Sequence, residues 1–253
     1  MNKVILNSSN NNYITHVFHL ADLHIRNLQR HKEYREVFNK FFDEVKIHDI
    51  ENSVIYIGGD IAHAKTDMSP ELIREVSWFL NECAKLKPTF IITGNHDANL
   101  RNESRLDVLT PIVENLNNPN LYYLRDTGVY QYNNLTFVVY SILDHKENWP
   151  SGYNIEGENK ICLFHGPVNK SDTDIGYVVS SNSFTTDMFG GFHISMMGDI
   201  HRRQSLQEFS EEYMEIDESD LQIYLDKGWV LNQKLENTED IPMESKITSN
   251  KFF

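Results

Sequence analysis

S-V-I-Y-I-G-G-D-I-A-H (Ser53–His63) is an apolar, β-branched run of strand length that stops at two glycines and then presents an aspartate and a histidine. The same construction stands on either side of it. T-H-V-F-H-L-A (Thr15–Ala21) runs into Asp22, Leu23 and His24, and T-F-I-I (Thr89–Ile92) runs into Thr93-Gly94-Asn95-His96-Asp97. Between these strands lie helical patterns. From His31 to Ile47, Tyr34, Val37, Phe38, Phe41, Phe42 and Val45 recur at helical spacing and predict a buried stripe. Ser69 is a candidate N-cap with Pro70 at the first helical position, followed by Leu72, Val76, Phe79, Leu80 and Cys83 on one face. A third helix is expected over Ser104 to Leu116. Strand and helix in alternation predict a largely parallel sheet with helices packed on it.

After about Leu121 the texture changes to closely spaced strand runs: Val129–Tyr132, Leu135–Ile142, Ile161–Phe164, Ile194–Met197 and Ser205–Phe209. A doubly wound dinucleotide fold would keep alternating and would need a G-x-G-x-x-G turn, which this chain lacks. The expectation is an α/β fold of two stacked mixed β-sheets flanked by helices.

The chain has 253 residues, 40% hydrophobic and 24% charged, enough to bury a sizeable core. No stretch approaches the roughly 20 apolar residues of a membrane span, and Met1–Tyr13 is Asn-rich without the apolar core of a signal peptide. These features predict a protein that does not engage a membrane and is cytoplasmic. Cys83 and Cys162 form no C-x-x-C pair and read as small buried hydrophobes. Net charge is −14, of which −8 falls in residues 207–253. A polyanionic substrate would therefore need bound cations or local Arg and Lys to approach.

Five polar clusters close apolar runs: Asp22-Leu23-His24, Gly59-Asp60-Ile61-Ala62-His63, Gly94-Asn95-His96-Asp97, His165-Gly166 and Gly198-Asp199-Ile200-His201. Sites in open α/β sheets form outside the carboxyl ends of strands, so clusters distant in sequence converge there. Mixed Asp, Asn and His donors suit manganese, iron or zinc better than calcium or magnesium. Seven donors (Asp22, His24, Asp60, Asn95, His165, Asp199 and His201) fit two ions sharing one carboxylate, an arrangement suited to phosphoester hydrolysis.

The ordered series D-L-H, G-G-D, G-N-H-D, F-H-G and G-D-I-H, from about Val17 to Phe209, resembles the calcineurin-like metallophosphoesterases. Protein Ser/Thr phosphatases of that superfamily read G-D-x-V-D-R-G and G-N-H-E, unlike the G-G-D-I-A-H and G-N-H-D found here. G-G-D-x-x-H followed by Ser-Pro-Glu-Leu, G-N-H-D and H-G is similar to the DNA double-strand-break repair nucleases of the SbcD type. Asn99–Pro111 (N-L-R-N-E-S-R-L-D-V-L-T-P) adds likeness to their phage and viral branch.

That resemblance implies a DNA exonuclease or endonuclease of end processing and repair, with a hydroxide held between two divalent ions, manganese above all, attacking phosphorus. It implies that Asp22, His24, Asp60 and His201 bind one ion and that Asp60, Asn95, His165 and Asp199 bind the other. His96 is then the general acid, Asp97 the group that fixes its tautomer, and His63 a contact that holds DNA. Lys65, Arg101, Arg105, Arg202 and Arg203 lie within or just after the clusters, where a phosphate backbone could pass. Homodimerisation and an SbcC-type ATPase partner follow from the resemblance alone. Within the superfamily the alternative is a small-molecule phosphodiesterase or nucleotidase; outside enzymes, it is a degenerate, non-catalytic domain.

Two departures stand out. Asp199 occupies the place of the first histidine of the family's G-H-x-H, which a manganese site can accept with altered affinity. Beyond Ser210 the family's P-G-S-like turn, DNA-binding cap and ATPase-docking segment are not recognisable. The expected organisation is a disordered segment at 1–12, a nuclease domain over 13–209 shortened at its C-terminal end, and an acidic tail over 210–253. The tail carries a short strand, then an amphipathic helix ending near Trp229; either it covers the sheet edge left by the missing final strand, or the domain is prone to instability or aggregation.

Overall fold

A computed structural model of the chain describes residues 3–8, 12–48, 52–63, 67–102, 105–180 and 183–206, with strands at 213–215, 230–231 and 246–248. The chain divides into two compact units, Met1–Leu206 and Gln207–Phe253.

In the first unit, β2 (His16–Leu20), β3 (Ser53–Ile57), β4 (Thr89–Ile91) and β5 (Leu121–Tyr123) form a four-stranded sheet, parallel throughout, in that order. The helices α1 (His31–Ile47), α2 (Pro70–Leu86) and α3 (Leu109–Leu116) connect these strands. A second, mixed sheet has the order β1 (Lys3–Ile5), β6 (Gly128–Tyr132), β7 (Leu135–Tyr140), β8 (Lys160–His165) and β9 (Ile194–Gly198). Its β6–β7 pair is antiparallel and its other pairs are parallel.

Period-two alternation builds the layers. Ile55 and Ile57 face a core shared with Phe38, Phe42, Leu72, Val76, Phe79 and Leu109 of the helices. Their neighbours Val54 and Tyr56 face Phe137, Val139, Ile161 and Leu163 of the second sheet. Val138, Tyr140, Cys162 and Phe164 point the opposite way and are covered by Val168, Phe189 and Trp149. Both cysteines are buried and free.

Several elements depart from expectation. Lys3–Ile5 pairs in parallel with Val129–Gln131, so this stretch is an ordered strand and not a disordered segment. The third helix starts at Leu109, not near Ser104. The Asp107 carboxylate accepts from the N–H groups of Leu109 (3.1 Å) and Thr110 (2.8 Å) and caps the helix there. Val37, placed in the α1 stripe, is 60% exposed. Ser205 and Leu206 are in no strand, and the remainder of that expected strand lies outside the described residues. Ser69 does cap α2, its hydroxyl accepting from the Leu72 N–H at 3.2 Å.

In the second unit β10 (Tyr213–Glu215), β12 (Lys246–Thr248) and β11 (Val230–Leu231) form an antiparallel sheet in that order. The expected amphipathic helix and Trp229 lie outside the described residues. Among those residues no helix is long and apolar enough to cross a membrane.

Candidate metal centre

The donors gather at the carboxyl ends of β2, β3 and β4 from one sheet and of β8 and β9 from the other. Backbone conformation at these ends is unusual. Asp22, His24, Asp60 and Asp199 have φ of 56°, 45°, 53° and 88°, the left-handed region that L residues enter only when their surroundings hold them there. The chain reverses tightly after each strand and turns these side chains inward. Glycine is needed beside them. At Gly59 (φ 86°) an added Cβ would fall 2.7 Å from the Gly94 nitrogen and from His165 Nδ1.

Asp60 is the hub. Its Oδ1 lies 3.4 Å from His165 Nε2, while its Oδ2 lies 3.6 Å from His24 Nε2. Oδ1 also accepts the His96 N–H at 2.7 Å. Its two oxygens therefore face different imidazoles. Around it, Asp22, Asp60 and His165 form one group with ligand atoms close enough to share an ion, and Asp22, His24 and His201 form another. His24 Nε2 and His201 Nε2 are 3.1 Å apart. Asp199 Oδ1 is 3.8 Å from His165 Nε2, and the Asp199 N–H donates to both Asp22 oxygens, at 2.9 and 3.1 Å.

Two atoms test whether an ion fits. His165 Nδ1 donates to the Gly58 carbonyl at 2.7 Å, which orients the ring and turns Nε2 toward the centre. That Nε2 is buried and, 3.4 Å from Asp60 being too long for a well-formed bond, has no hydrogen-bond partner among the described residues. Asn95 Oδ1 is likewise buried without a partner. Buried polar atoms are seldom left so, and a cation satisfies both.

Electrostatics follow from this crowding. Burial pushes the Asp22 and Asp199 carboxyls upward and pulls His24 down to about 4. Burial also pushes Asp60 upward, but the nearby His165 and the bond from the His96 N–H outweigh it and the net shift is downward. For His165, burial opposes the charged form, yet Asp60 beside it lifts the ring to about 9. Ligation requires the neutral imidazole, so cation binding here releases a proton.

His63, His96 and His24 form a further cluster. The His63 and His96 rings stack with centroids 5.0 Å apart, and His24 meets His96 edge-on at 4.8 Å. The structure corrects the role expected of Asp97. Its carboxylate is fully buried and accepts from the backbone N–H groups of Ala62 (2.9 Å), Gly94 (3.0 Å) and Ile61 (3.3 Å), binding the β3 and β4 loops together. His96 Nδ1 instead faces the His63 carbonyl at 3.1 Å, so that carbonyl fixes its tautomer.

Arg101, Arg105, Arg202 and Arg203 are all exposed. Arg202 pairs with Asp172 at 3.3 Å, and no described side-chain contact brings Arg101 or Arg105 to the donors. Lys65 lies outside the described residues. Two residues were not singled out for the site from sequence. Arg26 acts electrostatically on His63, and Tyr34, assigned to the helical stripe, donates its hydroxyl to the His24 carbonyl at 2.6 Å. The run D-L-H-I-R already placed Arg26 two residues from a donor.

The model of the calcineurin-like phosphoesterase family matches residues 15–225. Over 208 residues the chain is 42% identical to an uncharacterized protein of Acanthamoeba polyphaga mimivirus, a stretch covering 77% of this chain and 15% of that protein. The chain thus spans a small part of the length of this relative. It belongs to the calcineurin-like phosphoesterase family, whose chemistry is metal-dependent phosphoester hydrolysis.

Proposed function

We propose that this family member is a manganese-dependent DNA phosphodiesterase acting on strand ends or single strands. The observation that carries the metal dependence is the pair of buried, unpartnered donors, Asn95 Oδ1 and His165 Nε2, beside the two-faced carboxylate of Asp60. Asp22, His24, Asp60 and His201 would hold one ion, and Asp60, Asn95, His165 and Asp199 the other. This mixed nitrogen and oxygen set suits manganese. When bound, such ions stabilise charge on phosphoryl oxygens and acidify a water toward neutral pH.

His96 carries the proton. With Nδ1–H held on the His63 carbonyl, the imidazolium form of the ring carries its second proton on Nε2, and that proton passes to the departing sugar oxygen, leaving the neutral ring. Stacking on His63 and the edge of His24 hold the ring in place. His63 and His201 are exposed, as are Arg202 and Arg203, so the centre opens to the surface, as an extended strand requires. The G-G-D-I-A-H and G-N-H-D signatures support a place beside nucleases of the SbcD type, and the mimivirus relative supports the viral branch alone. A homodimer, an SbcC-type ATPase partner and a host-cytoplasmic setting belong to the same reading.

The test is cleavage of a 3′-labelled oligonucleotide, single and double stranded, with and without manganese, by the chain and its His96→Ala variant. A chromogenic phosphodiester is assayed in parallel. Metal-dependent DNA cleavage that falls about 10²–10⁴-fold in the variant supports the proposal. Cleavage of the small diester alone assigns a small-molecule phosphodiesterase. No turnover of either substrate with two ions bound assigns a degenerate domain.

A further inference from the structure

α1 begins against the usual electrostatic preference. The N-terminal end of a helix carries partial positive charge and favours acidic residues, as α2 obeys with its Ser69 cap and Glu71 in the first turn. α1 instead opens with Arg30, His31 and Lys32. Arg30, at its N-cap, has φ 58° and makes no side-chain capping bond. Glu33, in the same turn, lies 3.8 Å from Arg30 and offsets that one charge. In a chain of net charge −14, this end of the helix is locally basic.

A cavity of about 400 Å³ opens beside it, lined by His31, Lys32, Arg35, Arg74 and Glu75. Glu75 is buried and receives Arg35 through Nε (2.6 Å) and Nη2 (3.2 Å), and Arg74 through Nε (3.4 Å). Arg35 also lies over the Trp78 ring at 4.2 Å. One buried carboxylate thus positions two guanidiniums, and with Lys32 three cations face the cavity against one anion. Lys32 is exposed and has no partner among the described residues.

This basic surface is joined to the candidate metal centre. The Tyr34 hydroxyl, from the first turn of α1, holds the His24 carbonyl at 2.6 Å. His31 Nε2 holds the Arg26 carbonyl at 2.7 Å, which fixes the exposed Arg26 two residues from His24. We infer that the N-terminal turn of α1, with Arg26, Lys32, Arg35 and Arg74, is the landing surface for the phosphate backbone of a nucleic-acid strand entering the metal centre. The inference rests on the nuclease reading above. Regularly spaced phosphates would occupy the cavity and the first turn together, offsetting the unfavourable charge there.

The experiment uses the whole chain with manganese, a labelled single-stranded oligonucleotide and a chromogenic diester, across a salt series. Lys32→Ala, Arg74→Ala and their combination are compared with Lys40→Ala, further along α1, and melting curves verify folding. In the double variant kcat/KM for the oligonucleotide should fall roughly tenfold near 0.1 M salt. The log–log salt slope should lessen by about 0.7 for each phosphate that the variant no longer neutralises. Turnover of the diester, and both activities of Lys40→Ala, should match wild type. An unchanged oligonucleotide slope and kcat/KM overturns the landing surface, as does an equal loss on both substrates. A wild type that cleaves the diester and ignores the strand overturns the nuclease reading, and the landing surface with it.

Discussion

Gly94→Ala adds one methyl group where the β3 and β4 loops meet. Built on the Gly94 backbone, that Cβ lies 2.1 Å from both the nitrogen and Oδ1 of Asp60, and 2.8 Å from its Cα. Non-bonded heavy atoms settle near 3.5–4 Å, so the Asp60 backbone and carboxylate must move by about 1 Å or more. Asp60 is the residue that faces both imidazoles, and its backbone sits in a left-handed conformation with little room to give. A misplacement of about 1 Å at reacting groups costs on the order of 10²-fold in rate, equivalent to about 2.7 kcal/mol. Overpacking itself destabilises by about 1–3 kcal/mol. At Gly58 an added Cβ would meet only side-chain atoms, at 3.3–3.4 Å, so Gly58→Ala should stay within about threefold of wild type. The assay is kcat/KM on a chromogenic phosphodiester with saturating manganese, alongside thermal melting and calorimetric metal binding. A Gly94→Ala protein with wild-type kcat/KM and metal affinity would refute the view that this close approach sets the position of Asp60.

Three further outcomes are expected. Burial pushes the Asp107 carboxyl upward, but the bonds from Arg125, Thr110 and Tyr123 outweigh it and hold its pKa below the usual carboxylate value. Its stabilisation is therefore complete above the unfolded value of about 3.9 and lost as pH falls through the folded value. Asp107→Asn should cost about 2 kcal/mol at pH 7 and flatten the acid limb of a urea-melt pH profile, and an unchanged acid limb would contradict this. Asp199→His, which restores the family's G-H-x-H, should lower the manganese concentration giving half-maximal turnover; no shift would place residue 199 outside the ligand set. Removing divalent ions with a chelator should lower the melting temperature, since ligand at about 100 times its Kd stabilises by about 2.7 kcal/mol, and identical melts would argue against an ion in the folded state.

Strand–helix alternation made β2, β3, β4, α1 and α2 legible, because each carries an apolar run or stripe and several are bounded by strong punctuation such as Ser69-Pro70 or Gly58-Gly59. The grouping of the seven candidate donors at strand ends was legible for the same reason, each following an apolar run. Short elements were harder to see. Lys3–Ile5 is an exposed three-residue strand whose pairing with β6 lies over 120 residues away, so no local pattern announces it. The start of α3 depended on what the Asp107 side chain caps, which helical spacing does not encode. Asp97 was placed behind His96 because the two are adjacent in sequence. The structure turns its carboxylate into a nest of three N–H groups, a choice made by the packing of the β3 loop. The stacking of His63 on His96 and the role of Tyr34 likewise depend on tertiary placement.

The seam between the two sheets is closed by the polypeptide itself. His165 on β8 holds the Gly58 carbonyl, and the Asp199 N–H holds Asp22. The second of these bonds uses the backbone N–H of residue 199 and not its side chain. A change of side chain at position 199 therefore keeps this bond while altering what the residue offers the proposed second ion, within the limits its left-handed φ of 88° sets. A lineage could weaken or retune its metal affinity by one codon without passing through an unfolded intermediate.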